Sequence, residues 1–171
     1  MAEATHERLF DALLDSWDRN NAIMVGLLRV VPEGGLAAKA MPTSASVGQM
    51  YMHMHYIRLV HVFEDAPEFA RDVPTVEWPE ETDGNRIAAL LTESAAAVRD
   101  ALVGRLKTGQ EMDMHYDHPV LMLQHLVWHE AYHHGQIKLT LKLAGMPIAD
   151  DVAGDVSWAI WMDKRPRSVT T

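Results

Sequence analysis

Apolar residues recur at spacings of three and four through four long stretches of this chain, and no segment of four or more residues alternates as a half-buried strand does. Each stripe must be buried against another element, so the pattern restricts the chain to helices packed on helices. In the first stretch, from about residue 4 to 31, the stripe is Leu9, Phe10, Leu13, Leu14, Trp17, Ile23, Met24, Leu27 and Leu28, and Pro32-Glu33-Gly34-Gly35 ends it. Residues 32–45 form a connection longer than a tight turn, able to carry the chain along a bundle instead of reversing it. Ser46-Val47-Gly48-Gln49 reads as a capping box and opens a second helix running to about Glu64. Pro67, Pro74 and Pro79 make residues 66–84 an irregular excursion. A third helix, from about Asn85 to Lys107 with Thr82 or Asp83 as its cap, turns Ile87, Leu90, Leu91, Ala95, Val98, Leu102 and Leu106 one way. Pro119 suits the first turn of a fourth helix, which Gly145 and Pro147 stop. A short apolar piece, Trp158-Ala159-Ile160-Trp161, precedes a basic end at Lys164, Arg165 and Arg167. The expected architecture is an all-α four-helix bundle with a short C-terminal helical piece, one domain over residues 1–171.

Composition narrows the chemistry. There is no cysteine, which removes disulfide scaffolds, thiolate metal sites and thiol nucleophiles together. The formal charge is −9, against a nucleic-acid partner and against an anionic membrane surface. No stretch approaches the roughly 18 apolar residues a membrane span needs. The N-terminus is acidic and amphipathic, unlike a signal peptide, so a cytoplasmic location is expected. Eleven methionines suit an aliphatic helical core, and ten histidines make imidazole metal binding the first chemistry to test.

The fourth helix carries His125, His129 and His133 at four-residue spacing. Residues four apart lie about 40° apart around a helix and about 6 Å along it, so His129 and His133 can share one ion, and His125 can replace either. The second helix offers His53, His55 and His61. His53 and His55 point about 200° apart and cannot both face the core. His53 belongs to a row with Ser46, Met50, Ile57 and Val60, which periodicity favours only weakly, because Val47, Met50, Met54, Ile57 and His61 also make an acceptable inner row. His129-Glu130-Ala131-Tyr132-His133 also matches the H-E-x-x-H of zinc peptidases. The extended form of that motif fails: Gly135 falls one position early, Leu139 stands where a third histidine would, and no Glu follows Glu130. Only Asp150, Asp151 or Asp155 remains as a third ligand for that reading. A di-iron bundle site fails as well, since the second helix has no inward Glu before Glu64.

The runs Ser46-Val47-Gly48-Gln49-Met50-Tyr51-Met52-His53 and His129-Glu130-Ala131-Tyr132-His133-His134-Gly135-Gln136-Ile137 resemble the DinB-like family. The resemblance extends to helix order, the long first connection and the Gly145-x-Pro147 ending; His134 departs from it where Arg is common. It implies an up-down-down-up bundle, a homodimer, and a divalent metal ion, zinc or nickel, held by His53, His129 and His133. It also implies a small-molecule substrate, with thiol-dependent S-transferases and isomerases that use low-molecular-weight thiols such as bacillithiol or mycothiol among the relatives. Three neutral imidazoles leave open coordination positions, as catalytic rather than structural sites do. Gln136 can hydrogen-bond into the site, and Glu130 and Tyr132 are expected at its flanks. The competing expectations are a non-catalytic stress or binding protein in which the metal staples two helices, and the zinc peptidase. The substrate, and the roles of His55, His61, His125, Glu130 and Gln136 and of the 66–84 excursion, stay open at this level.

Overall fold

The computed structural model describes residues 2–164, and every regular element among them is helical. Four long helices, α1 (Ala2–Arg29), α2 (Val47–Asp65), α3 (Gly84–Thr108) and α4 (Pro119–Leu143), are followed by α5 (Asp150–Asp155) and α6 (Trp158–Met162). The ends lie where the local chemistry puts them. Ser46 and Gln49 form the reciprocal capping box on α2. Asp83, the second of the two expected caps, accepts from the amides of Asn85 and Arg86 at the start of α3. Pro119 opens α4, and Gly145, at φ 76°, follows its end. α5 was not expected from the sequence, because its six residues carry too few apolar positions to show a period. The apolar piece at residues 158–161 does form a helix, and Arg19 Nη1 donates to the Ile160 carbonyl, tying α6 to α1. Arg165 and Arg167 lie outside the described residues.

Two apolar clusters fill the bundle. One gathers Leu14, Trp17, Leu59, Val62, Val98, Leu102, Met122 and Leu126; the other gathers Met24, Leu27, Val47, Met54, Ile87, Leu91, Ile137 and Leu141. A charged layer is buried within the same bundle. Arg58 of α2 and Glu130 of α4 are both wholly buried, joined by two hydrogen bonds, Nε to Oε1 at 2.6 Å and Nη2 to Oε2 at 2.7 Å. Asn20 of α1 donates to the same carboxylate at 2.6 Å, and Arg58 Nη1 donates to Asn21 Oδ1 and to the Leu91 carbonyl of α3. The layer thus ties all four long helices together. Buried charges persist only when paired and hydrogen-bonded, and here the fork geometry of the guanidinium supplies both.

The excursion at residues 66–84 is not a loose loop. Its first turn is a 3₁₀ helix (Pro67–Phe69), and it then runs back along α2. Gln49 Nε2 donates to the Trp78 carbonyl at 3.0 Å and Ser46 Oγ donates to Glu80 at 3.3 Å, so the cap residues of α2 also hold this segment.

Candidate metal centre

His129 and His133, on successive turns of α4, converge on His53 of α2. The Nε2 of His129 lies 3.2 Å from the Nε2 of His53 and 3.2 Å from that of His133. One ligand atom from each residue lies within 4.8 Å of the other two. Two nitrogens at that 3.2 Å separation, each about 2.05 Å from a shared ion, subtend about 103°, close to the tetrahedral angle of about 109°. Without a cation the arrangement is poorly satisfied, because one N–H can serve only one lone pair and the others face each other. His129 Nδ1 is also buried with no hydrogen-bond partner among the described residues. The donor set fits a divalent metal ion.

Electrostatics favour the ligating form. Burial pushes His129 down to about 3, and the neighbouring His133 and His53 add to the fall. His53 drops to about 4 through burial and His133, against the opposing pull of Glu77. Burial lowers His133 as well, while a hydrogen bond that its ring donates to Gln136 favours its charged form. All three are therefore neutral near pH 7, as metal binding requires.

The orientation of His53 comes from the excursion. Trp78 stacks on its ring with centroids 3.8 Å apart and planes 6° from parallel, and Glu77 Oε1 lies 3.0 Å from its Nδ1. A carboxylate this close to the far nitrogen favours a proton there, which leaves Nε2 to ligate. Neither residue could be found from sequence periodicity, since a proline-rich segment has none; the only signal was an acid beside an aromatic in a segment otherwise without a purpose.

The other candidates sort cleanly. His55 faces α3, where its Nδ1–H donates to the Leu90 carbonyl at 2.9 Å. His125 Nδ1 is hydrogen-bonded with the Tyr116 hydroxyl at 2.7 Å, and His61 packs edge-on against His125. Gln136 does lie beside the site. Tyr132 is exposed at its edge, with its ring 5.2 Å from that of His133. Glu130 corrects the expectation of a flanking position: it points into the bundle and is consumed by Arg58 and Asn20. Its carboxylate therefore cannot be the general base that the H-E-x-x-H motif needs. A cavity of about 480 Å³ near the end of α1 is lined by Leu28, Leu36 and Asn85, and none of the three histidines reaches it.

No helix among the described residues is long and apolar enough to cross a membrane. No curated protein and no solved structure matches the chain. A family model described as the DinB family matches residues 1–165, so the chain that builds this three-histidine bundle belongs to the DinB family.

Proposed function

We propose that the protein is a metal-dependent enzyme acting on a small molecule, holding a zinc or nickel ion on His53, His129 and His133, with a low-molecular-weight thiol as co-substrate. The observation that carries this reading is the convergence of three neutral imidazole nitrogens, at 3.2 Å spacings, with no carboxylate in the set. A bound ion there keeps its full charge and supplies Lewis acidity that favours the thiolate form of a thiol near pH 7. The chain's own residues do the positioning. Glu77 holds the proton on His53 Nδ1, Trp78 fixes the plane of that ring, and Gln136 orients His133. The exposed rings of Trp128 and Tyr132, stacked at 6.5 Å, offer an apolar wall beside the site for an uncharged part of a substrate. The same exposed aromatic face supports the expected homodimer, and the acidic charge favours an uncharged or cationic small molecule over nucleic acid.

The test loads the stripped protein with zinc or nickel and offers a panel of thiols with a chromogenic electrophile. Turnover should need both metal and thiol and should vanish in His129→Ala. No turnover with any thiol, from protein verified to carry an ion on the triad, would leave the ion as a staple between α2 and α4.

A further inference from the structure

The triad leaves a second group of histidines unused along the same seam. His61 and Glu64 stand three residues apart on one face of α2, and His115 arrives from the connection between α3 and α4. One ligand atom from each lies within 4.8 Å of the other two. We propose that His61, Glu64 and His115 form a second site for a divalent transition-metal ion, distinct from the site on His53, His129 and His133.

The charges call for a cation. Glu64 and Asp65 are adjacent carboxylates, and the Asp65 side chain is wholly buried. Among the described residues neither pairs with a Lys or Arg; their charged-pair neighbours are the imidazoles, with His115 Nδ1 at 2.9 Å from Asp65 and 3.8 Å from Glu64, and His61 Nδ1 at 3.8 Å from Asp65. The half-exposed Glu64 beside the buried Asp65 thus leaves negative charge at this end of α2 with no Lys or Arg to balance it, and a divalent ion held by Glu64 would neutralise it. His61 makes only long contacts. Its nitrogens lie 3.3 and 3.5 Å from the Tyr116 oxygen, which sits closer, at 2.7 Å, to His125 Nδ1. An ion shared with Glu64 and His115 would give this half-buried imidazole a stronger partner than either contact.

The third ligand is held in place before any ion arrives. Asp65 Oδ1 accepts from the amides of Met114 and His115 at 3.1 and 2.7 Å, and the Asp65 carbonyl accepts from Asp113 at 3.0 Å. Arg105 then clamps the same connection through Asp113 Oδ1 and the Glu111 carbonyl. His115 is exposed, so an ion can enter from solvent. Two imidazoles and a carboxylate form a harder donor set than three imidazoles, one that accepts zinc, cobalt or iron(II).

The experiment is a cobalt(II) titration of the stripped full chain, followed by calorimetry and visible absorption, with far-UV circular dichroism to check each variant's fold. The parent should bind two equivalents. His61→Ala and Glu64→Gln should each lose one and keep the other, whereas His129→Ala should lose the complementary one. His115→Gln, at an exposed position, replaces His61→Ala if that variant does not fold. A single equivalent in the parent, abolished by His129→Ala, would overturn the proposal. So would a second equivalent that survives both Glu64→Gln and His115→Gln. Because each site is read in its own variants and no turnover is measured, failure here leaves the catalytic reading untouched, and the reverse holds too.

Discussion

Replacing Glu130 by Ala removes the only acidic partner that Arg58 has in the described structure and leaves a guanidinium fully buried. Breaking a buried ion pair from one side costs about 3–5 kcal/mol, because the surviving charge remains desolvated. Arg58 would keep its bonds to Asn21 Oδ1 and the Leu91 carbonyl and its place 5.0 Å from the Trp17 ring, which argues for the lower half of that range. With a urea slope of about 2 kcal/mol/M, a loss of about 3–4 kcal/mol moves the unfolding midpoint down by roughly 1.5–2 M. The double variant Arg58→Met/Glu130→Leu removes both charges and should recover most of the loss, since well-packed apolar pairs replace buried ion pairs at little cost. Equilibrium urea melts of the parent, Arg58→Met, Glu130→Leu and the double variant, followed by circular dichroism at pH 7.5, give the coupling energy directly. Metal content should stay at the parental level in Glu130→Gln. A Glu130→Ala midpoint within about 0.5 M of the parent would refute the reasoning, since it would mean that water or another group compensates Arg58.

Alanine at His53, His129 or His133 should each collapse binding at the triad, while His55→Ala and His125→Ala should preserve it, as measured by metal analysis after gel filtration. Stripping the triad's ion should lower the melting temperature by about 5–11 °C at pH 7.5, because an ion at about 100 times its dissociation constant contributes about 2.7 kcal/mol and about 1 kcal/mol moves the midpoint by about 2–4 °C. The pH dependence follows from the depressed imidazoles. His53 and His129 take protons near 4 and 3 when folded, against about 6.5 when unfolded, so the metal-free protein is most stable above 6.5 and loses stability as pH falls through that interval. The ion's own contribution should persist at pH 5.5, where folded His53 and His129 are still neutral, and a holo-minus-apo difference already gone at pH 6 would contradict that. Gly48→Ala should destabilise by about 1–3 kcal/mol, because a Cβ there would stand 2.0 Å from the Glu81 carbonyl oxygen. That variant should also loosen the segment carrying Glu77 and Trp78, visible as weaker metal binding; parental affinity would show that the segment does not orient His53.

Much of the molecule was legible from local chemistry alone. The four long helices follow from apolar spacing, and their ends follow from Ser46, Asp83, Pro119 and Gly145, each acting within a turn of its own position. The pairing of His129 with His133 is equally local, a consequence of 3.6 residues per turn. The third histidine of the cluster was not decided this way. Helix α2 is buried on opposite sides, with Met50, Tyr51, Met52, His53, Met54 and His55 all buried, so periodicity separates the rows through His53 and His61 only weakly and the resemblance chose between them. Burial on opposite faces has a tertiary cause: the 66–84 excursion runs back over α2, and nothing in its proline-rich sequence encodes that path. Glu130 shows the same limit. On its own a glutamate belongs at a helix flank, and it goes inward here only because Arg58, 72 residues away, meets it with a matched fork of hydrogen bonds. Periodicity reports which face of a helix is apolar, whereas a buried charge depends on a partner that only the packed fold brings within reach.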